Sequence, residues 1–228
     1  MTKVVKPVDA AGLVLIRAGA RGEPEILLGR RHRNAGFLPD IYVVPGGRVD
    51  AEDHDSSGFA EALHPAVAAS LLSGGSRRPA LAFPRAALRE TLEETGLLVG
   101  ETGMAEDAAG IPVWQAYRAA GIAPDFASID FICRAITPVT SHRRYNTRFF
   151  LADGAQAVGS VNSNGELEDL AWRPVSALSA LNIVDVTEYV LKEALRRWQA
   201  RSPTGAEPPK LLNYRNDIMT LSRHRTRG

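Results

Sequence analysis

The chain contains a single cysteine, Cys133, in 228 residues. That excludes an intrachain disulfide and any cysteine-based zinc site. An excess of one charge sign is also missing. Twenty-seven Lys and Arg stand against 26 Asp and Glu, a net charge of +1, so no global basic field points to nucleic acid as a partner. Long apolar runs are absent as well. The N-terminal run from Ala10 to Ile16 is too short for a signal peptide or a membrane span. The closing Arg227-Gly228 is not a peroxisomal address. The expected location is the cytoplasm. The five histidines, His32, His54, His64, His142 and His224, lack metal-ligand spacing and are expected mostly at the surface. No internal repeat or low-complexity segment occurs.

What is present is an ordinary globular composition, 45% hydrophobic and 23% charged, at a length that fits one large domain or a core with an insertion. Ala11 to Arg17 and Glu25 to Arg31 read as strands around a turn from Ala18 to Pro24. Ile41 to Val44 is a short β-branched run that ends at Pro45-Gly46-Gly47. Pro65 to Ser73 reads as a helix, with proline in its first turn and Gly74-Gly75 at its end. A second helix is expected from near Pro84 to Gly96. Asp130 to Ile136, which holds Cys133 as a buried thiol, Thr147 to Leu151 and Leu170 to Arg173 read as strands. Thr187 to Arg201 places Val190, Leu191, Ala194, Leu195 and Trp198 on one helical stripe, the mark of a core-packing face. A domain from residue 1 to 204 and a C-terminal tail from 205 to 228 follow. Strands alternating with helices predict an α/β/α sandwich with a mixed sheet.

The most informative stretch is Arg89-Glu90-Thr91-Leu92-Glu93-Glu94-Thr95-Gly96-Leu97. On a helix, positions i, i+3 and i+4 share a face, so Glu90, Glu93 and Glu94 project together. Like charges on one stripe repel, and a hard divalent cation relieves them. Carboxylate oxygens suit Mg²⁺ or Mn²⁺, especially where phosphate completes the ligand set. A solvated acidic face is the bland alternative for this segment alone. The upstream Gly46-Gly47 lets the backbone approach a cation or phosphate closely, although a plain tight turn would need the same residues.

These residues resemble the Nudix hydrolase signature: Gly, five residues, Glu, seven residues, then Arg-Glu-apolar-x-Glu-Glu-x-Gly-apolar. The second half matches except at Thr91, where an aliphatic residue is usual. The first half departs. Gly47 would stand fourteen residues before Arg89, and here the gap is forty-two. The first glutamate, counted back from Arg89, falls on Leu81, so it is missing or replaced by Asp50, Glu52 or Asp53. The resemblance covers about Ala10 to Trp198. An insertion of about residues 50–84 at this point is similar to the branch that holds the nudix-type-19 coenzyme A diphosphatases. So are Gly36 to Asp50 and Arg143 to Leu151.

The resemblance implies the Nudix fold and metal-dependent hydrolysis of a diphosphate in a nucleoside diphosphate linked to another group, coenzyme A being the leading substrate. It implies Gly47, Glu90, Glu93 and Glu94 as metal ligands, Glu90 as ligand or base, and Arg89 as a brace for the glutamates. A further carboxylate is expected from Gly165 to Trp172, Glu168 or Glu166. Leu27-Leu28-Gly29-Arg30-Arg31 partly resembles the coenzyme A motif of the family, with Gly29 where threonine is typical. Arg31, Arg144 and Arg148 are the candidate substrate arginines, since guanidinium forks suit phosphates. The insertion is expected to fold over the cleft and read the leaving half of the substrate, or to pair with a second copy in a homodimer. The alternative function is a catalytically silent domain that binds a nucleotide metabolite as sensor or regulator.

Overall fold

A computed structural model of the chain describes residues 5–20, 22–55, 57–60, 62–73, 78–103, 110–215 and 218–224. The sheet opens with β1 (Val8–Ala18), β2 (Pro24–Arg31), β3 (Tyr42–Val43) and β4 (Gly46–Arg48). Two helices follow, α1 (Pro65–Ser73) and α2 (Ala82–Thr95). A connecting region holds β5 (Leu98–Val99), β6 (Glu101–Thr102), α3 (Pro112–Ala120) and β7 (Ile122–Ala123). The chain then forms β8 (Asp130–Ile136), β9 (Tyr145–Asp153), β10 (Ala157–Val158) and β11 (Leu167–Pro174). Helix α4 (Asp185–Gln199) precedes β12 (Lys210–Arg215) and β13 (Ile218–Arg223).

The main sheet runs β11-β2-β1-β9-β8-β12-β13, with β3 added to β2 and β4 to β1. It is mixed: β1 with β9 and β8 with β12 are parallel, the other pairs antiparallel. Period-two alternation sends the side chains of β1 into two cores. Ala11, Leu13 and Leu15 face α1, α2 and α3, together with Phe83, Trp114 and Phe150. Val14 and Ile16 face α4, where Val190, Leu191 and Ala194 form the predicted stripe. A strand buried on both faces reads as a continuous apolar run, which explains Ala10 to Ile16. Cys133 is buried, and burial pushes its thiol pKa up.

Four features differ from the sequence expectation. The segment assigned to a tail supplies β12 and β13, which extend the sheet beyond β8. Helix α3 lies where no element is expected. The insertion helix α1 does not cover the cleft. Val67 and Leu71 are buried in the core shared with Phe59 and Phe83, and burial of their apolar area is what fixes the helix. His224 also departs from its expected surface role, packing edge-on against the Phe131 ring.

Candidate active site

Helix α2 ends at Gly96, whose φ of 72° is the left-handed conformation that glycine adopts without penalty. Its amide donates to the Leu92 carbonyl at 2.8 Å. Thr91, the departure from the signature, is fully buried, and its hydroxyl donates to the Ala87 carbonyl at 2.7 Å. An internal hydroxyl partner makes the polar side chain tolerable in an apolar slot.

The glycine loop lies directly on this helix. The Gly46 amide donates to Glu94 Oε2 at 2.8 Å. A Cβ on Gly47 would stand 2.3 Å from the Glu90 carboxyl, and one on Gly46 would stand 2.4 Å from the Ala11 carbonyl oxygen. Only glycines permit this approach. Together they bring a backbone turn and two carboxylates to one end of a cleft of about 650 Å³.

Arg89 is 3% exposed and organises the acids from below. Nη1 donates to Glu90 at 2.9 Å and to Glu93 at 3.0 Å, and Nη2 donates to the Arg48 carbonyl at 2.9 Å. Its Nε and Nη2 form a fork on the two carboxylate oxygens of Asp53, at 2.9 and 3.0 Å. Asp53 is 1% exposed and also accepts the Asp50 amide at 2.8 Å. Counted forward from Gly47, five residues intervene before Asp53. Asp53 therefore occupies the position of the signature's first acid, one methylene shorter. The insertion lies behind it, and of the three replacements the sequence offered, Asp50, Glu52 and Asp53, it is Asp53 that stands there.

Electrostatics follow from burial. Glu94 is pushed up to about 8, first by burial and then by Glu90 and Glu166, against the Gly46 amide and Arg31. Glu90 is pushed up to about 7, again by burial first, with Arg89 opposing. Glu93 is raised, burial leading, with Arg89 opposing. Glu93 lies half in solvent, its side chain 47% exposed.

Other expected residues fall apart in space. Glu166 lines the cleft beside the α2 acids. Glu168 does not line it. It accepts from Arg30 Nη2 at 2.8 Å, on strand β11 where its register partner is Arg30. Arg31 lines the cleft, and among the described residues its side chain has no hydrogen bond or ion pair. Arg144 is tied to the Thr137 and Val5 carbonyls. Arg148 is fully buried, paired with Asp9 at 2.7 Å and placed 3.8 Å over the Phe83 ring. Alternation along β9 explains this. Tyr145, Thr147 and Phe149 face the cleft, and Asn146 and Arg148 face the α2 side. Of the described insertion residues, Asp50 alone lines the cleft.

Among the described residues no three His, Cys, Asp or Glu side chains stand as a ready metal cage. The donor set nevertheless fits a hard cation. The buried Glu94 and the partly buried Glu90, both with raised pKa values, share one end of the cleft, a glycine backbone is packed against Glu90, and Glu93 and Glu166 also line the cleft. Mg²⁺ takes one or two protein carboxylates and completes its shell with water and phosphate, so a full cage is not required.

A NUDIX hydrolase from Alicyclobacillus acidocaldarius superposes with a TM-score of 0.67 at 28% identity, covering 90% of this chain and all of that one. With the signature already in place, the chain is similar to the Nudix hydrolases in both sequence and fold. The NUDIX domain of Shewanella oneidensis NrtR, solved with ADP ribose, shares the fold at a TM-score of 0.52 and 14% identity, over 85% of this chain and 90% of that one. The acyl-coenzyme A diphosphatase NUDT19 of Gallus gallus is 28% identical over 62% of this chain and 54% of its own length. This chain thus spans about half of that curated relative. No family model matches the chain.

The cleft's far wall is the part that the sequence reading missed. Asp185 and Tyr214 line it, 2.7 Å apart. Asp53 is one of the three acids the sequence offered for the first glutamate, and counting forward from Gly47 singles it out. Tyr214 was not, because no local pattern shows that β12 joins β8.

Proposed function

We propose that this protein hydrolyses the diphosphate bond of a nucleoside diphosphate linked to another moiety, using Mg²⁺ or Mn²⁺. The observation that carries this reading is the convergence of Glu90, Glu94 and the Gly46-Gly47 turn at one end of a large cleft. Gly47, Glu90, Glu93 and Glu94 would hold the metal, with Glu166 in the place first given to Glu168. A bound divalent ion supplies charge neutralisation at phosphorus and acidifies the attacking water. Arg89 fixes the carboxylates so that their oxygens face the cleft and not each other. Arg31, which feels the charge of Glu94 but has no hydrogen bond among the described residues, takes a phosphate oxygen of the substrate. Glu90 and Glu166 are the two candidates to accept a proton from water, since both line the cleft. Coenzyme A derivatives are one candidate substrate group, in keeping with the acyl-coenzyme A diphosphatase relative and the partial motif from Leu27 to Arg31.

A panel of diphosphates incubated with Mg²⁺ and with Mn²⁺, with products identified by mass, tests the reading. Cleavage at the anhydride in at least one compound is expected. Tight binding of a nucleotide with no cleavage of any compound would replace the enzyme with a sensor.

A further inference from the structure

The cleft crosses the sheet, and its two ends differ in charge. At the β1 and β2 end stand the α2 glutamates, Glu166 and the cations Arg31, Arg48 and Arg89. Those three are the cleft-lining cations among the described residues. The other end is formed by β8, β12 and the start of α4, where Asp185 is the charged group. Asp185 Oδ1 accepts the Tyr214 hydroxyl at 2.7 Å and the Val186 amide at 2.7 Å. Among the described residues its Oδ2 has no hydrogen bond and no cation pairs with the carboxylate. The Tyr214 oxygen keeps its acceptor lone pairs. Burial, and then Asp185, push its pKa up, so it stays a neutral phenol.

Three strand steps separate β1 from β12 in the order β1-β9-β8-β12. At the usual strand spacing this is about 14 Å. An extended nucleoside, held by its diphosphate over the glycine loop, reaches that far. A phosphate alone does not.

Resting on the diphosphatase reading above, we propose that Asp185 and Tyr214 read the unphosphorylated vicinal diol of a ribose, and so set which substrates this cleft accepts. A diol carries two O–H donors, which a carboxylate oxygen and a phenol oxygen can accept. A phosphate on the same ribose would lie against Asp185, which among the described residues has no cation paired with it to offset the charge. Arg31, Arg48 and Arg89 are carried on β2, β4 and α2, and none of them pairs with Asp185. The choice therefore falls between nucleosides that differ by one phosphate ester, and it is made where the start of α4 meets the C-terminal hairpin.

The experiment compares kcat/KM within two matched pairs, 3′-dephospho-coenzyme A against coenzyme A and NADH against NADPH. The intact protein is compared with Asp185→Asn and Tyr214→Phe. The wild type is expected to prefer the unphosphorylated member of a cleaved pair by at least about tenfold, the scale of an uncompensated like-charge contact. Asp185→Asn should shrink that ratio to within about threefold of unity, since the repelling charge is gone. Tyr214→Phe should raise KM for the diol-bearing member more than for its phosphorylated counterpart. Loss of stability alone would lower both members equally and leave the ratio unchanged. A wild-type ratio near one, or a ratio indifferent to both variants, overturns the proposal and leaves the diphosphatase reading standing. If no member of either pair is cleaved with Mg²⁺ or Mn²⁺ while another diphosphate is, the diol reading falls alone. If no diphosphate is cleaved at all, both fall.

Discussion

Arg89 and Asp53, thirty-six residues apart, close a two-bond fork inside the protein, with Nε and Nη2 at 2.9 and 3.0 Å from the two carboxylate oxygens. The same guanidinium carries Glu90 and Glu93 on its remaining nitrogen. One buried cation therefore sets the position of the glycine loop, the 3-10 turn at Glu52–His54 and the acidic stripe of α2.

Asp53→Asn keeps one acceptor and removes the charge. The expected loss is about 1.5–3 kcal/mol, the value of a hydrogen bond to a charged group. Glu90 and Glu93 still neutralise Arg89, which prevents the larger penalty of a stranded buried ion. Urea unfolding of the metal-free protein measures it, and a change below about 0.5 kcal/mol would show that the fork carries no stability.

Glu93→Gln and Glu94→Gln should each lower turnover by about 10²-fold or more, since losing a metal ligand removes electrostatic stabilisation worth several kcal/mol. The two variants should differ in stability. Glu94→Gln replaces a buried carboxyl but leaves an oxygen for the Gly46 amide, so its fold should survive unweakened. Near-normal rates of both proteins at saturating Mg²⁺ would end the metal-site reading.

The raised carboxyls make a pH prediction with a definite sign. Glu90 at about 7 and Glu94 at about 8 lie above their ordinary value of 4.5. Below that value both states are protonated and nothing is lost. As pH rises through the window from 4.5 to about 8, the unfolded chain ionises first, and the folded state loses relative stability. Metal-free protein should melt at a falling temperature from pH 5 to pH 8, and Mg²⁺ should suppress most of that fall by favouring the ionised carboxylates. Activity should rise over the same window. A melting temperature that climbs with pH in the presence of a chelator would contradict the burial of these groups.

Leu71→Ala tests the insertion. Leu71 is 1% exposed on α1, away from the cleft. Stability should fall by about 2–5 kcal/mol, as for other buried leucines, with KM and kcat preserved at a temperature where the variant stays folded. A changed substrate preference would return the insertion to the role of reader.

The catalytic helix was legible because its information is local. Helical spacing, the first-turn region near Pro84 and the Gly96 stop all lie within fifteen residues, and the observed helix begins only two residues earlier. Glu166 and Glu168 were not separable, because alternation places both on one side of an extended chain. The structure separates them through pairing. Glu168 lies in the β11 ladder opposite Arg30, a register irregularity follows it, and Asp169 takes a φ of 48°. Glu166 precedes the ladder and is held by a turn in which its amide donates to Asn164. Arg148 misled for a related reason. A run of arginines beside a phosphate site reads as a single group, but on a strand every second one points away. The C-terminal hairpin was invisible because its partner, β8, lies far upstream.

That last pairing governs how the molecule is assembled. During synthesis β8 leaves the ribosome long before β12 exists, with α4 made in between. Until then β8 is a bare sheet edge made of Phe131, Ile132 and Cys133, a surface open to wrong partners. The parallel match of Lys210 with Cys133 retires that edge and, in the same step, sets Tyr214 beside Asp185. A nascent chain can thus carry its acidic centre fully formed while the far wall of its cleft is still unbuilt, so a stalled or nicked product would be more dangerous as a seed for aggregation than as a stray hydrolase.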